Sequence, residues 1–490
     1  MLFNNLTYAI FIPVVFILYR IVPIRYRWAL LLAVSYWFCA QLDIRFLLVL
    51  LIQSLFAYGF GILIDSAKTE RARRRLTAAA AVELLAGLVI FKYLGFITEN
   101  LNALLYHLTP HGDSLLQIPV PQLFIPIGIS FYTLQVLGYI LDVSRGKYRA
   151  EWHLGRFLLF ASFFPQLVSG PIGRGDQLLP QYRRLRKATA RQVSMGLKRM
   201  AWGYFKKLAI ADVLALTVNK IFDQPDIYIG LIFPVTVLMY TIELYCDFSG
   251  YSDIAVGTAQ LFGIDLVQNF NTPYLSQNVR EFWNRWHISL SSWFRDYLYI
   301  PLGGSHFGIP KRIRNTLIVM LVSGLWHGAS WTFLFWGLLH GLYQSADVLI
   351  TRTHSPKKVN EDYSRPVRIL RTILTFSLIS FAWLFFRADS MKTALTFIKG
   401  TFTGIEDPIQ YLKTFVICLD MPYLQMVWIC IPVVILIISD FVSFMKKTDI
   451  VELVSAQRPL VRYTGYVLLL VSILLFSQKG VTAEFIYGGF

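Results

Sequence analysis

The sequence predicts an all-α polytopic membrane protein, and three observations carry that prediction. Apolar runs long enough to cross a bilayer recur along the whole 490-residue chain, which is 56% hydrophobic and 16% aromatic. A helical crossing needs ~20 mainly apolar residues to span ~30 Å of hydrocarbon, and many stretches meet that. Positive residues gather in short hydrophilic connections, Lys68 to Arg75, Arg183 to Lys187, Lys198 to Lys207 and Lys311 to Arg314, the pattern of loops kept on the cytoplasmic side. No hydrophilic stretch is long enough for a soluble domain. The chain therefore reads as one membrane domain over 1–490, with its motifs in 120–350, N-terminal spans in 1–119 and C-terminal spans in 366–490.

Lys and Arg number 46 against 29 Asp and Glu, a net charge of +17. In a soluble chain that excess would point to nucleic acid. Here topology accounts for it, leaving room for one basic face to receive an anionic substrate or lipid headgroup. No nucleic-acid partner is expected. Cys39, Cys246, Cys418 and Cys430 lie in or beside apolar runs, without metal-ligand or disulfide spacing, and read as packing residues. No basic segment precedes the first apolar run and no small-residue cleavage site follows it, so that run is expected to remain as a span.

Taken in order, Tyr8 to Leu18 opens the first span, with Arg20, Arg25 and Arg27 after it, which puts the N-terminus outside. Leu30 to Ile64 is too long for one crossing and is interrupted at Gln41 and Asp43, so a helical hairpin is expected, returning to a cytoplasmic loop at Lys68 to Arg75. Ala78 to Phe96 crosses outward to a polar segment around His107 and His111. Leu123 to Leu141 crosses back, loosened by Pro126, Gly128 and Gly138. Phe157 to Val168 is short, ends in Ser169-Gly170-Pro171 and fits a re-entrant element, tolerated at depth only where protein or a water-filled cavity covers it.

Leu208 to Ile221 leads out, and Ile227 to Phe262 leads back carrying Glu243, Asp247 and Asp253. Glu243 and Asp247 share a helix face, and Gly250 offers a break, which would turn the run into two short helices with wet carboxylates. Arg280 to Tyr299 places Trp283, Trp286, Leu290, Trp293 and Tyr297 on one face and Glu281, Arg285, Ser292 and Asp296 on the other. That is an amphipathic helix at the cytoplasmic interface, ended by Pro301, Gly303 and Gly304. Leu317 to Ile350, 34 residues, would run to about 51 Å as one helix, so two helices breaking near Gly328 are expected. Leu370 to Phe386, Met426 to Phe444 and Val461 to Phe476 complete the set, with Asp389 to Asp420 outside. The total is roughly eleven transmembrane or re-entrant elements.

Two histidines stand in this apolar sequence, in Trp286-His287 and Trp326-His327-Gly328. Ionisable groups are costly at bilayer depth, and those kept there usually face a cavity or bundle interior. A neutral imidazole is a general base, and with it a substrate hydroxyl attacks an activated carbonyl. The chain has no serine-hydrolase elbow and no Walker loop, and its one His-x-x-x-His spacing, His107 and His111, lies in a polar segment and lacks the Glu of a zinc-protease motif, so no metal ligand set is expected. Transfer to an incoming hydroxyl survives that elimination, beside the alternative that each histidine only hydrogen-bonds between helices. His306 sits in a Gly-rich connection. His340, thirteen residues beyond His327 and roughly opposite it on a continuous helix, reads as structural. His107, His111, His153 and His354 carry no role.

A resemblance narrows this. Asp247-Phe248-Ser249-Gly250-Tyr251-Ser252-Asp253, Asn269-Phe270-Asn271 with Pro273-Tyr274, Arg280-Glu281-Phe282-Trp283 through Arg285-Trp286-His287, Trp293-Phe294-Arg295-Asp296-Tyr297 and Leu325-Trp326-His327-Gly328 match a known pattern. So do the opening Met1-Leu2-Phe3-Asn4 and Gly170-Pro171-Ile172. Together they resemble the membrane-bound O-acyltransferase family in its bacterial alginate and peptidoglycan O-acetyltransferase branch. The ending Phe485-Ile486-Tyr487-Gly488-Gly489-Phe490 departs from the Phe-Gln-Phe of that branch.

The resemblance implies helices around a central tunnel, in the bacterial cytoplasmic (inner) membrane. It makes His327 the catalytic base in the tunnel and His287 the second family histidine, lining or supporting it. It implies acetyl-CoA as acyl-donor substrate, with no bound cofactor, and phosphates received near Arg280, Arg285 and Arg295. Asp247, Ser249, Asn271, Trp286 and Trp326 join the donor- or substrate-binding set. Asn271, the Trp326 indole or a backbone amide would stabilise the oxyanion. An extracytoplasmic acetyltransferase- or esterase-like partner would complete transfer to a polysaccharide. The alternatives are D-alanyl transfer to teichoic acid from a carrier-protein thioester, and a transporter of an acylated carrier without chemistry. A eukaryotic-type lipid or protein acyltransferase fits the histidines but not the other motifs.

Overall fold

The computed structural model describes residues 6–108, 117–350, 364–419 and 423–477. Met1 to Asn4, His111, His354 and the Phe485 to Phe490 ending lie outside the described residues, as does the side chain of Cys418. Helix is the only regular structure among the described residues. Six helices are long and apolar enough to cross a membrane: Ile44–Asp65, Glu70–Leu108, Ile232–Leu261, Arg365–Arg387, Trp428–Lys446 and Pro459–Phe476. Two shorter apolar helices, Thr7–Ile21 and Ile129–Ser144, accompany them. The last helix, Pro459–Phe476, buries none of its residues, and Leu460 and Leu474 are 81% and 76% exposed. An apolar helix that buries none of its residues in the protein belongs in lipid. The chain is an all-α, multi-pass membrane protein.

Local chemistry explains most breaks. Asp43 ends Arg27–Leu42 and caps Ile44–Asp65, its carboxylate accepting the Arg45 backbone N–H, so the expected hairpin forms where the sequence places it. Thr69 caps the next helix at the Ala72 N–H, and Glu70 pairs with Arg74 at 3.1 Å. The basic run Lys68 to Arg75 is therefore mostly the opening of a helix and not a loop. Lys311 to Arg314 likewise sits in the first turns of Ile309–His327. The expected crossing from Leu123 is helical only from Ile129, because Gly128 holds φ 80° and a Cβ there would lie 2.1 Å from the Leu167 carbonyl oxygen. The short elements Leu154–Ser162 and Phe164–Leu167 break at Phe163 and are buried from Phe157 onward, in keeping with a re-entrant element.

Two expectations fail around residues 198–261. Lys198 to Lys207 is no connection: it lies inside the helical stretch 190–223, which widens into a π-helix over Phe205–Ala211. Gly250 does not break the next helix, which runs unbroken over Ile232–Leu261. Instead Gly250 lets two backbones touch: a Cβ on Gly203 would stand 2.6 Å from the Gly250 carbonyl oxygen, and one on Gly250 2.8 Å from that of Gly203. At that range the alternative of wet carboxylates at two helix ends gives way to internal ion pairs. Lys207 lies 2.6 Å from Asp247 and 2.8 Å from Asp212, while Asp253 takes Lys206 at 2.6 Å and Arg199 at 3.1 Å.

Candidate active site

The expected amphipathic helix over 280–299 is not one helix. Val279–Arg285 and Ile288–Phe294 are separate, with Trp286 extended and His287 in the left-handed region at φ 43°, ψ 54°. A side chain rarely adopts that conformation unless its surroundings impose it. Here the Asn269-Phe270-Asn271 segment imposes it. The Asn269 carbonyl accepts from Ile288 N–H and the Arg285 carbonyl from Asn271 N–H, each at 3.0 Å, while Asn269 Oδ1 accepts from Ser289 N–H at 3.1 Å. The corner is buried, with Trp286 1% and His287 0% exposed. That overturns the single-helix reading: the pattern is interrupted by a turn that periodicity does not register.

His327 ends the helix Ile309–His327, and Trp331–Ile350 begins after the break at Gly328, as expected. Gly324 and Gly337 let the hairpin close: a Cβ on Gly337 would lie 2.4 Å from the Met320 carbonyl oxygen, and one on Gly324 2.3 Å from that of Phe333. The fold-back places the His327 ring 5.1 Å from Trp336 and 5.1 Å from Phe386, with Trp336 in turn 4.8 Å from His340. His287 reaches the cluster from the other side through Trp326, whose ring lies 6.1 Å from His287 and 4.9 Å from His327. Neither ring nitrogen of His287 has a hydrogen-bond partner among the described residues.

A cavity of about 320 Å³ lies beside this cluster. Arg295, exposed at its side chain, lines it together with Arg280 and Arg312, and its buried wall includes Trp283, Met320 and Ser323. Ser323 stands one helical turn before His327 on the same helix. Trp283 donates its indole N–H to His340 Nδ1. The cavity thus joins a cationic rim to the foot of the histidine helix.

The structure divides the remaining expected site residues. Arg280, paired with Asp347 at 3.1 Å, and Arg295, paired with Asp296 at 2.9 Å, line the same cavity, whereas Arg285, paired with Glu281 at 3.0 Å, lines a second, polar cavity of about 790 Å³ with Ser249 and Asn271. Asp247 is tied to Lys207, and Ser249 accepts from Lys206 at 2.9 Å. Asn271 is exposed and serves the corner through its backbone. Trp286 packs among Phe270, Phe282 and Trp383. Trp326 Nε1 is already donating to the Ser130 carbonyl at 3.3 Å, so it is not free to serve as an oxyanion donor.

Sequence reasoning missed three residues. His340 reads as opposite His327 on a continuous helix, whereas the break after His327 folds it back into the same aromatic cluster. Arg312 belongs to a basic run that reads as a connection but opens the helix Ile309–His327. Lys92, 7% exposed, donates to the backbone carbonyls of Trp326 at 2.6 Å and His327 at 3.0 Å. Its signal was present, since it is an ionisable residue in the middle of an apolar run.

Comparisons agree with this architecture. The profile of the membrane-bound O-acyltransferase family matches residues 31–388. The protein named "Probable alginate O-acetylase AlgI" of Azotobacter vinelandii is 38% identical over 402 residues, 82% of this chain and 77% of its own length. A peptidoglycan O-acetyltransferase of Helicobacter pylori is 34% identical over 433 residues, 82% of this chain and 79% of its own. A teichoic acid D-alanyltransferase of Bacillus subtilis is 30% identical over 322 residues, 62% of this chain and 77% of its own.

Proposed function

The chain belongs to the membrane-bound O-acyltransferase family and is an O-acyltransferase, and from that premise we propose that it moves acetyl from cytoplasmic acetyl-CoA to a hydroxyl destined for a secreted or cell-wall polysaccharide. The observation that carries the proposal is the position of His327, buried at a helix end beside a cavity rimmed by Arg280, Arg295 and Arg312. Three guanidinium groups suit the phosphates of CoA, and the wall of the cavity behind them includes Ser323, one helical turn before His327.

In this reading the neutral His327 ring takes the proton of the acceptor hydroxyl as its oxygen bonds to the thioester carbonyl carbon. The C–S bond then breaks, and His327 returns the proton to the departing thiolate, leaving CoA and an acetyl ester. With the Trp326 indole engaged elsewhere, the untied ring of His287 is the polar donor at hand for the developing oxyanion. The acceptor arrives from the extracytoplasmic side, and an acetyltransferase- or esterase-like partner there would pass the group on. The setting would be the bacterial cytoplasmic membrane.

Transfer of D-alanine from a carrier-protein thioester is the rival within the class; its relative covers a smaller share of this chain. The test is CoA release and radiolabelled acetyl transfer by the full-length protein in nanodiscs, wild type against His327→Ala. Loss of turnover in a folded variant supports the reading. Unchanged turnover, or no CoA release by wild type even with a polysaccharide hydroxyl acceptor and candidate partner present, removes it. Export lost with turnover intact would favour a carrier transporter.

A further inference from the structure

We propose that Lys92 and Tyr93, presented together by a π-helical turn, are positioning residues that fix the backbone of His327; this rests on His327 being the base. The last four carbonyls of any helix lack intrahelical partners, and at a buried end they must be satisfied by something other than water. In Ile309–His327 those carbonyls belong to Gly324, Leu325, Trp326 and His327. Gly324 is served within the chain, accepting from Gly328 N–H at 3.2 Å. The other three are served from the 70–108 helix. Tyr93 Oη donates to Leu325 at 2.6 Å, and Lys92 Nζ to Trp326 at 2.6 Å and His327 at 3.0 Å. Every open carbonyl at this helix end is accounted for.

Two consecutive residues of an α-helix point about 100° apart and do not normally converge on one target. Here the turn is π-helical over Val89–Tyr93. Such single-turn insertions are rare and concentrate at functional sites. Lys92 also donates to Ser130 Oγ at 3.2 Å, while the Ser130 carbonyl accepts from the Trp326 indole. The amine therefore fastens three helices at the residue pair Trp326-His327. It stands where a cation complements the negative end of the helix dipole. A purely apolar contact would hold the helix in place but leave its last turn free to fray, and the imidazole would swing with it.

The experiment measures kcat and KM for acetyl-CoA on full-length Lys92→Met, Lys92→Arg, Tyr93→Phe and His327→Ala in nanodiscs, with thermal unfolding of each. A displacement of about 1 Å at a reacting group costs on the order of 100-fold in rate. Lys92→Met is expected to lose roughly 30- to 100-fold in kcat with KM within about twofold, and Lys92→Arg, which keeps donors, to recover part of it. Tyr93→Phe removes one oxygen and is expected to lose less, in the same direction; it carries the test if Lys92→Met does not fold. Folded Lys92→Met and Tyr93→Phe with wild-type kcat, or with a raised KM alone, overturn the proposal. If His327→Ala is inactive in that case, only the positioning role falls. If His327→Ala is fully active, the base assignment fails and this role with it.

Discussion

Trp283 donates its indole N–H to Nδ1 of His340 at 3.2 Å, joining residues 57 apart in sequence. One partner is on the wall of the arginine-rimmed cavity, the other on the helix that leaves His327. Trp283→Phe keeps the ring contact with Trp336 and strands a buried acceptor. That should destabilise the protein by about 1–3 kcal/mol, read as a lowered midpoint in detergent unfolding. An unchanged midpoint would mean the bond does not tie the wall to the helix.

The cavity rim separates two groups of arginines. Arg280, Arg295 and Arg312 line the cavity beside the histidines, and Arg285 lines the other. Replacing any of the first three by Gln should raise KM for acetyl-CoA by roughly 10- to 100-fold, the worth of one hydrogen bond to a charged group, with kcat nearly kept. Arg285→Gln should leave KM within about twofold. Initial-rate kinetics decide it, and a KM rise in Arg285→Gln alone would move the donor site to the second cavity.

Much of this was legible in the chain. The breaks at Asp43 and Gly328 follow from residues that end helices, and the two tryptophan-histidine motifs stand out because imidazoles are rare at depth. Periodicity failed where the backbone leaves the helix without a Gly or Pro to announce it, as at Trp286-His287, where a distant Asn269 holds the turn. It failed again at Gly250, read as a breaker when its use is to admit the Gly203 carbonyl. The role of Lys92 is silent in the sequence because a single lysine in a span reads as an interruption until the helix end it serves is folded against it.

Lys207 answers both Asp247 and Asp212 in the tight helix pair. Lys207→Met leaves two buried carboxylates without their cation, and removing one side of a buried pair costs about 3–5 kcal/mol. Expression and thermal stability should fall steeply. Adding Asp247→Asn and Asp212→Asn should restore most of the loss, because the triple variant buries no unpaired charge. A stable Lys207→Met single variant would show that the charges are not buried as described.

His287 combines a backbone duty with a ring, and substitutions separate the two. At φ 43° the corner excludes β-branched side chains, whereas Asn and Gly enter the left-handed region at little cost. His287→Val should therefore be destabilised by about 1–3 kcal/mol relative to His287→Asn. His287→Asn and His287→Gly should fold while losing the ring between Phe131, Phe248 and Trp326. If the ring serves the oxyanion, both lose at least about 100-fold in kcat, the scale of one such donor. Should His287→Asn turn over acetyl-CoA at the wild-type rate, the ring has no part in the chemistry and His287 acts only as the corner. Equal stability of the Val and Asn variants would instead mean that the left-handed corner is not held in solution.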